Sequence, residues 1–399
     1  MFHQLVSHNE DIRQLVEKGY AVSFDSTYLI IRDIPHLDHE LKVQIGAIVT
    51  KFVSVDNKKI KQEDHQIFFA GAAPYNLDGK LIPNLGGGTM TLALSEACKD
   101  IVVQRSFSNK PKINGQFQDF KGIFEKIESY VGIISGPAME LHNVTPYTYR
   151  VNDVVADSVF KFHDTLTSRA EITDLAAKFK DDVVAIIGLG GTGGYVLDFL
   201  VKTPVKEIRA FDFDSFYVHN AYRTPGRVEE SDFGKPKSTV YLERHGNFRH
   251  GLKIVNQRID KSSTEELNGI TFAFVCVDKG SSRAEIFDLL LAKKIPFIDV
   301  GMGLNRKKVS LNGMLRTTYY STEDGQRVKD RKLAELTDPA DDIYRTNIQI
   351  GELNALNACL AVIKFKQLRG FYFEETPLYN LLLEVADLKI VSASNPNED

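Results

Sequence analysis

Residues 183–193 read VVAIIGLGGTG, and the acid pair Asp212 and Asp214 follows in RAFDFDSF (209–216). An apolar β-run, Val183 to Ile187, opens directly into Gly188-x-Gly190-x-x-Gly193, and a helix is predicted over Tyr195 to Val201. A second apolar strand then ends in the two acids. This is the nucleotide-binding strand–turn–helix–strand fingerprint with its context in place. Gly188 permits the tight turn out of the strand. Gly190 and Gly191 let backbone N–H groups approach a phosphate with no Cβ in the way, and Gly193 lets the helix lie close to the sheet. The helix N-terminus directs partial positive charge to the same point.

The residues after the acids depart from a dinucleotide-dependent dehydrogenase. The chain continues Asp212-Phe-Asp214-Ser-Phe-Tyr-Val-His-Asn220-Ala-Tyr-Arg223, then Gly234-Lys235-Pro236-Lys237. Further on, TFAFVCV (271–277) reads as a strand ending in Asp278, with Arg283 behind it. A nicotinamide site needs one acid for a ribose and a dry pocket. An Asn, an Arg and lysines gathered at the phosphate end suit a triphosphate: Arg offers a two-pronged fork and Lys a point charge. Asp278, at the carboxyl end of its strand, falls where ligands of α/β sheets bind, and one carboxylate there is enough to help hold Mg²⁺.

Composition sets the frame. The 399 residues predict two domains. With 43% hydrophobic and 26% charged residues the composition is that of a globular protein. A net charge of −4 gives no basic excess for a nucleic-acid surface. No apolar run approaches the roughly 20 residues of a membrane span, and the N-terminus does not read as a signal peptide. Cys98, Cys276 and Cys359 are far apart and form no C-x-x-C pair, so neither a structural zinc site nor a disulfide framework is expected. A cytoplasmic location fits this cysteine usage.

Along the chain, residues 1–150 read as a smaller α+β domain. It has a helix at Glu10–Lys18, a strand at Tyr28–Arg32 and a helix or strand at Leu41–Ser54. A strand in 65–71 is followed by a turn at Asn76–Gly79, and Leu85–Gly88 is expected to be a flexible loop. Helical spacing of Phe120, Ile123, Phe124 and Ile127 marks 118–130. Residues 151–392 form the second domain. Helix is expected over 154–180, then alternating units with strands at Ile254–Ile259, Thr271–Val277 and Pro296–Val300 and a helix at Ser281–Lys293. Segment 321–342 reads as an exposed loop with some helix, 348–366 as a long apolar helix, and 393–399 as a flexible tail. The alternation predicts a Rossmann-like, doubly wound α/β sheet.

Taken together, GLGGTG, DFDSFYVHNAYR, GKPK and VCVDKGSSR resemble the ThiF/MoeB family, the adenylating fold shared with ubiquitin-activating enzymes, over roughly 160–370. The resemblance is to bacterial members with an added N-terminal domain. It implies an adenylyltransferase that uses ATP and Mg²⁺, without zinc. Gly191 would lie against the nucleotide and Asp212 would bind the ribose. Asn220, Arg223 and Lys237 would hold the phosphates, and Asp278 the metal. It implies a homodimer in which Arg169 from the partner reaches the γ-phosphate. The implied substrate is the C-terminal carboxylate of a ubiquitin-like protein, in a bacterial conjugation system that includes a conjugating-type enzyme, with anti-phage defence as one setting of such systems. The alternatives are a peptide or small-molecule carboxylate, as in microcin-forming relatives, and an inactive dimeric scaffold.

Two features depart from that family. Ubiquitin-activating enzymes carry a nucleophilic cysteine after the strand matching Pro296–Gly301, and this chain has none there. Cys359 lies in an apolar helix, Cys276 reads as core, and Cys98 is expected to be exposed but without activating neighbours, so a thioester on this chain is doubtful. His219 also stands where the family has Ser. Residues 1–150 suggest a substrate clamp or a diverged conjugating-enzyme-like domain, without the histidine-proline-asparagine run of an active one.

Overall fold

The computed structural model describes residues 5–6, 8–55, 60–83, 85–95, 98–113, 115–150, 158–162, 164, 166–167, 170, 172–338 and 348–394. The chain forms two compact units, Met1–Thr173 and Asp174–Asp399.

The first unit opens with α1, Glu10–Lys18, at the bounds its sequence predicts. Asn9 caps it by accepting from the Ile12 N–H at 3.1 Å, and Gly19 ends it in the left-handed region. Strands β1 (Ala21–Asp25), β2 (Tyr28–Leu37), β3 (Val43–Ser54), β4 (Ile60–Gln62), β5 (Gln66–Ala70), β6 (Gly88–Leu92) and β7 (Val103–Ser108) form one sheet, and β8 (Lys112–Ile113) and β9 (Gln116–Phe117) pair separately. The order of the larger sheet is β1-β2-β3-β5-β7-β6, with β4 on the end of β3 and every pairing antiparallel. Helix α2, Ile123–His142, covers one face through Ile123, Ile127, Tyr130 and Ile134. It starts later than the apolar spacing predicts because Gly122 is extended and Asp11 of α1 caps the Ile123 N–H at 2.7 Å. The turn at Asn76–Gly79 forms, the Gly79 N–H reaching Asn76 O at 3.0 Å. The loop expected at Leu85–Gly88 is a fitted turn instead. Gly86 and Gly87 have positive φ, and a Cβ on Gly87 would sit 2.0 Å from Ser106 O.

Lys126 is fully buried on α2, with Nζ 2.7 Å from Asp64 O and 3.8 Å from the Asp64 carboxylate. Burial pushes its pKa down to about 8, against the pull of Asp64 and Glu63. A lowered lysine pKa means the unfolded chain binds more protons between pH 8 and the ordinary lysine value, so this group adds stability as pH rises through that window. Relative to Lys126→Met, the parent is therefore expected to gain melting temperature between about pH 8 and 10. Parallel melting curves check it; a constant difference between the two proteins would remove Lys126 as the source.

The second unit begins with a short helical stretch, Thr173–Phe179. The longer helix expected over 154–180 is not there: residues 158–162 are not helical, and 154–157 lie outside the described residues. Next come β10 (Val183–Ile187), α3 (Gly191–Val201), β11 (Glu207–Phe211), α4 (Val218–Ala221), α5 (Lys237–His245) and β12 (Leu252–Val255). They are followed by β13 (Phe272–Val275), α6 (Gly280–Ala292), β14 (Phe297–Lys307) and β15 (Ser310–Tyr320). The rest is α7 (Gly325–Asp330), α8 (Gly351–Leu368), β16 (Asn380–Glu384) and β17 (Lys389–Ala393). The sheet runs β12-β11-β10-β13-β14-β15-β16-β17, parallel as far as β14 and antiparallel after it. Helices cover both faces, as a doubly wound α/β fold requires. Val184 and Ile186 point to the side of α3 and α8, with Leu197, Leu200, Ala361 and Phe365. Ala185 and Ile187 point to the side of α6, with Phe287 and Leu290. The final antiparallel strands were not read from the sequence. The expected tail begins inside β17, at Ala393, and 395–399 lie outside the described residues.

Candidate nucleotide site

From β10 the chain passes outward through β11 to β12, then returns to β13 on the other side of β10. The crevice at this switch point lies beyond the carboxyl ends of the strands. The register lines up Ile187 with Phe211 and Val275, so Gly188, Asp212 and Cys276 leave the sheet side by side.

Gly188 turns at φ +95°, where its N–H donates to Phe211 O at 2.8 Å. A Cβ on Gly193 would meet Gly188 O at 1.9 Å, and one on Gly191 would meet Asn354 of α8 at 2.4 Å. Gly190 differs: nothing lies within 4 Å of its Cβ position. Three glycines thus close the loop against protein, while Gly190 faces open space at the helix N-terminus, a cradle that a phosphate fits.

Asp212 is buried and fully engaged. Its Oδ2 accepts from the Leu189 N–H at 2.6 Å, its Oδ1 accepts from the Asp214 N–H at 2.9 Å, and the same Oδ1 lies 3.4 Å from Lys237 Nζ. Asp214 is the more open acid, its side chain 54% exposed, with Lys237 Nζ donating to Oδ2 at 2.8 Å. Lys237 is buried at the start of α5, and its N–H donates to Asp214 O at 2.9 Å. The two motif loops are also joined through backbone: the Phe216 N–H reaches Lys235 O at 2.8 Å, and the Gly234 N–H reaches Phe216 O at 2.9 Å. Lys235 itself pairs with Glu243 on α5, a surface role.

Asn220 is buried on α4. Its Oδ1 accepts from the Tyr217 N–H at 2.7 Å, which fixes the loop that presents Arg223. Arg223 is half-buried, and its Nε is buried without a hydrogen bond. Desolvation lowers its pKa against the attraction of Asp278, Tyr241 and Asp214. A buried guanidinium with an idle donor beside a crevice is suited to a phosphate oxygen. Asp278 is exposed and has no hydrogen bond or ion pair with a described residue. His219, exposed beside Arg223 and Lys237, has its pKa lowered by desolvation and by those two cations.

The fold therefore brings Gly188, Gly190, Gly191, Gly193, Asp212, Asp214, Asn220, Arg223, Lys237 and Asp278 to one edge of the sheet. Arg169 lies outside the described residues. Arg283 is not free for phosphate: it pairs with buried Asp299 at 3.0 Å and donates to Glu335 O and Val277 O. Sequence reasoning missed Asn354 and Thr192. Thr192 Oγ1 donates to Asn354 Oδ1 at 2.8 Å, tying the glycine loop to α8. The available signal was Asn354 and Asn357 three apart on an otherwise apolar helix, which places both on one face.

The cysteines need one correction. Cys98 is buried, 1% exposed, rather than exposed, because it packs with Ile30, Ala47, Val49 and Val103 on a face of the sheet. Cys276 and Cys359 are half-buried, and burial pushes all three thiols up.

Among the described residues no group of three or more His, Cys, Asp or Glu is placed to hold a metal. The donor set fits Mg²⁺ only in the way that ion binds nucleotides, through one carboxylate, Asp278, with phosphate and water completing the shell. No described helix is long and apolar enough to cross a membrane.

A model described as ThiF family matches residues 143–396, and one described as a domain of unknown function (DUF6791) matches 10–165. No curated protein matches. Similar solved structures include Escherichia coli MccB with ATP, 18% identical over 58% of this chain and 69% of that one, TM-score 0.43. MccB with AMPCPP and selenomethionine MccA is also 18% identical over the same shares, TM-score 0.44. Selenomethionine PaaA is 14% identical over 75% of this chain and 89% of that one, TM-score 0.42. At these scores the structural likenesses carry no functional argument.

Proposed function

The chain belongs to the ThiF family, and from that premise we propose that it adenylates a C-terminal carboxylate with ATP, its substrate being a ubiquitin-like protein. Family membership supports adenylation of a carboxylate. The observation that carries the reading is the convergence of Lys237, Arg223 and the open Gly190 amide edge on the crevice beside exposed Asp278. A carboxylate oxygen of the substrate attacks the α-phosphorus, the bond to the bridging oxygen breaks, and pyrophosphate leaves; no proton transfer is required. Arg223 and Lys237 hold and neutralise phosphate oxygens, so the protein's contribution is position and charge rather than a nucleophile. Asp214, the open acid, and Asp212, which props the loop, form the ribose side. Bound Mg²⁺, with Asp278 among its ligands, supplies charge neutralisation at the leaving phosphates. The proposal includes a cytoplasmic homodimer, with Arg169 crossing to the partner's site.

One observation favours a second reading, a peptide carboxylate with no thioester step: burial raises the pKa of each of the three thiols. ATP–pyrophosphate exchange tests both. Exchange is expected to depend on an added ubiquitin-like protein ending in glycine, with no thioester-linked species on a non-reducing gel. Exchange with a short C-terminal peptide alone would select the second reading. No exchange with any protein or peptide would sink both.

A further inference from the structure

The first unit carries a cleft of about 400 Å³ beside the middle of β2, the first part of β3 and the end of β5. Small residues, Gly46, Ala47 and Ala70, line its floor. Its walls are charged in opposed pairs. Arg32 pairs with Asp100 through both terminal nitrogens, and Arg150 Nη1 lies 3.7 Å from Asp33 Oδ2. Ile45 and Val102, at 62% and 59% exposure, add apolar surface to the same cleft.

Three features set this cleft apart from a patch of surface ion pairs. Arg32 is 8% exposed, yet its buried Nε donates no hydrogen bond. Idle buried donors are costly in a finished structure, and a group that arrives later accounts for one. The β2–β3 register shifts between Ile31 and Ile34, and Asp33 sits there at φ +59°. Bulges and left-handed non-glycine residues re-aim side chains and gather at binding sites. Thr148 Oγ1 holds the re-aimed carboxylate, donating to Asp33 Oδ2 at 2.9 Å. Finally, Asp100 is more than half exposed, so its hold on Arg32 is exchangeable.

We infer that this cleft is a site for a free α-amino acid with an apolar side chain of about leucine size. Two arginines and two aspartates cancel, so neither an anion nor a cation alone matches the walls, whereas a zwitterion matches both. Arg32 receives the carboxylate through the terminal nitrogens of its planar fork, in exchange for Asp100. Asp33 and Asp100 receive the ammonium, and the side chain lies against the exposed Ile45 and Val102. The inference concerns the first unit alone and does not depend on the nucleotide reading.

Calorimetric titration of the full chain with L-leucine, L-valine and L-methionine tests it, alongside 3-methylbutylamine and 4-methylpentanoate, which lack the carboxylate and the ammonium of leucine. Saturable binding of at least one amino acid is expected, about tenfold or more tighter than either leucine analogue. Arg150→Ala, which alters an exposed side chain and spares the fold, is expected to weaken it severalfold, and Arg32→Lys more. Lys237→Ala, in the other unit, is expected to leave it unchanged. No saturable binding of any of the three overturns the inference. So does equal binding of an analogue, or binding that survives Arg150→Ala and is lost in Lys237→Ala.

Discussion

Asp278→Ala is expected to lower substrate-dependent ATP–pyrophosphate exchange by about a hundredfold or more while the melting temperature stays within about 2 °C of the parent. The two halves of this result have separate origins. Asp278 follows β13, exposed, and no described residue depends on it for a hydrogen bond or ion pair. Its removal therefore leaves no buried group unsatisfied, and surface changes of that kind have small effects on stability. Among the described residues, however, the crevice offers no other acid so free. Asp212 is consumed by the Leu189 and Asp214 amides, and Asp214 by Lys237. Losing Asp278 would leave a divalent ion with phosphate and water ligands but no protein carboxylate, and would remove the charge that attracts Arg223. Exchange measured across a Mg²⁺ titration, with a melting curve of each protein, checks the prediction. Exchange at the parent's rate would take Asp278 out of the reaction, and a large fall in melting temperature would make the loss of activity uninformative.

The parts of this site that were legible in the sequence are those that obey local rules. Val183–Ile187 is buried on both faces, so it reads as an unbroken apolar run, and Gly188 follows it because only glycine takes φ +95° at little cost. The acid pair and the GKPK segment could be placed because both follow the ends of predictable elements. What the sequence hid was the division of labour inside them. Asp212 and Asp214 are both acids two residues apart. Only the folded loop shows that the first is buried and spent on holding the glycine turn, while the second pairs with Lys237 and keeps about half of its side chain exposed. The same holds for Arg283, whose place five residues after Asp278 leaves its role open and which packing assigns to Asp299. The strands at the far edge escaped for another reason. β15 carries residues such as Ser310, Asn312, Gly313, Arg316 and Thr317, whose mixed polarity follows neither a buried nor a half-buried pattern, because the sheet edge is covered unevenly. Cys98 shows the limit of local reading most directly: its polar neighbours predict exposure, and long-range packing against Ile30 of β2 and Ala47 and Val49 of β3 buries it.

Two alanines three residues apart are expected to fail in opposite ways. Gly190→Ala is expected to melt within about 2 °C of the parent and to bind ATP about tenfold or more weakly. Its φ of −73° and ψ of −152° are open to any residue, and a methyl group there meets nothing within 4 Å. The folded chain alone gives no reason for glycine at this position, so the reason must be something that approaches the backbone. Gly193→Ala should instead lose about 1–3 kcal/mol of stability, a fall of several degrees in melting temperature. Its methyl would stand 1.9 Å from Gly188 O and 3.2 Å from the Cys276 Cβ, and backbone on the facing side cannot rotate away as a side chain can. Helix α3 would have to lift from β10, tilting the amides that Gly190 presents. Nucleotide binding should then weaken in Gly193→Ala as well, but as a consequence of the shift, and in step with the loss of stability. Equilibrium ATP binding and thermal melting on the two variants separate these routes. If Gly190→Ala binds ATP like the parent, the open cradle does not receive phosphate, and the assignment of the crevice to a nucleotide loses the observation on which it most depends.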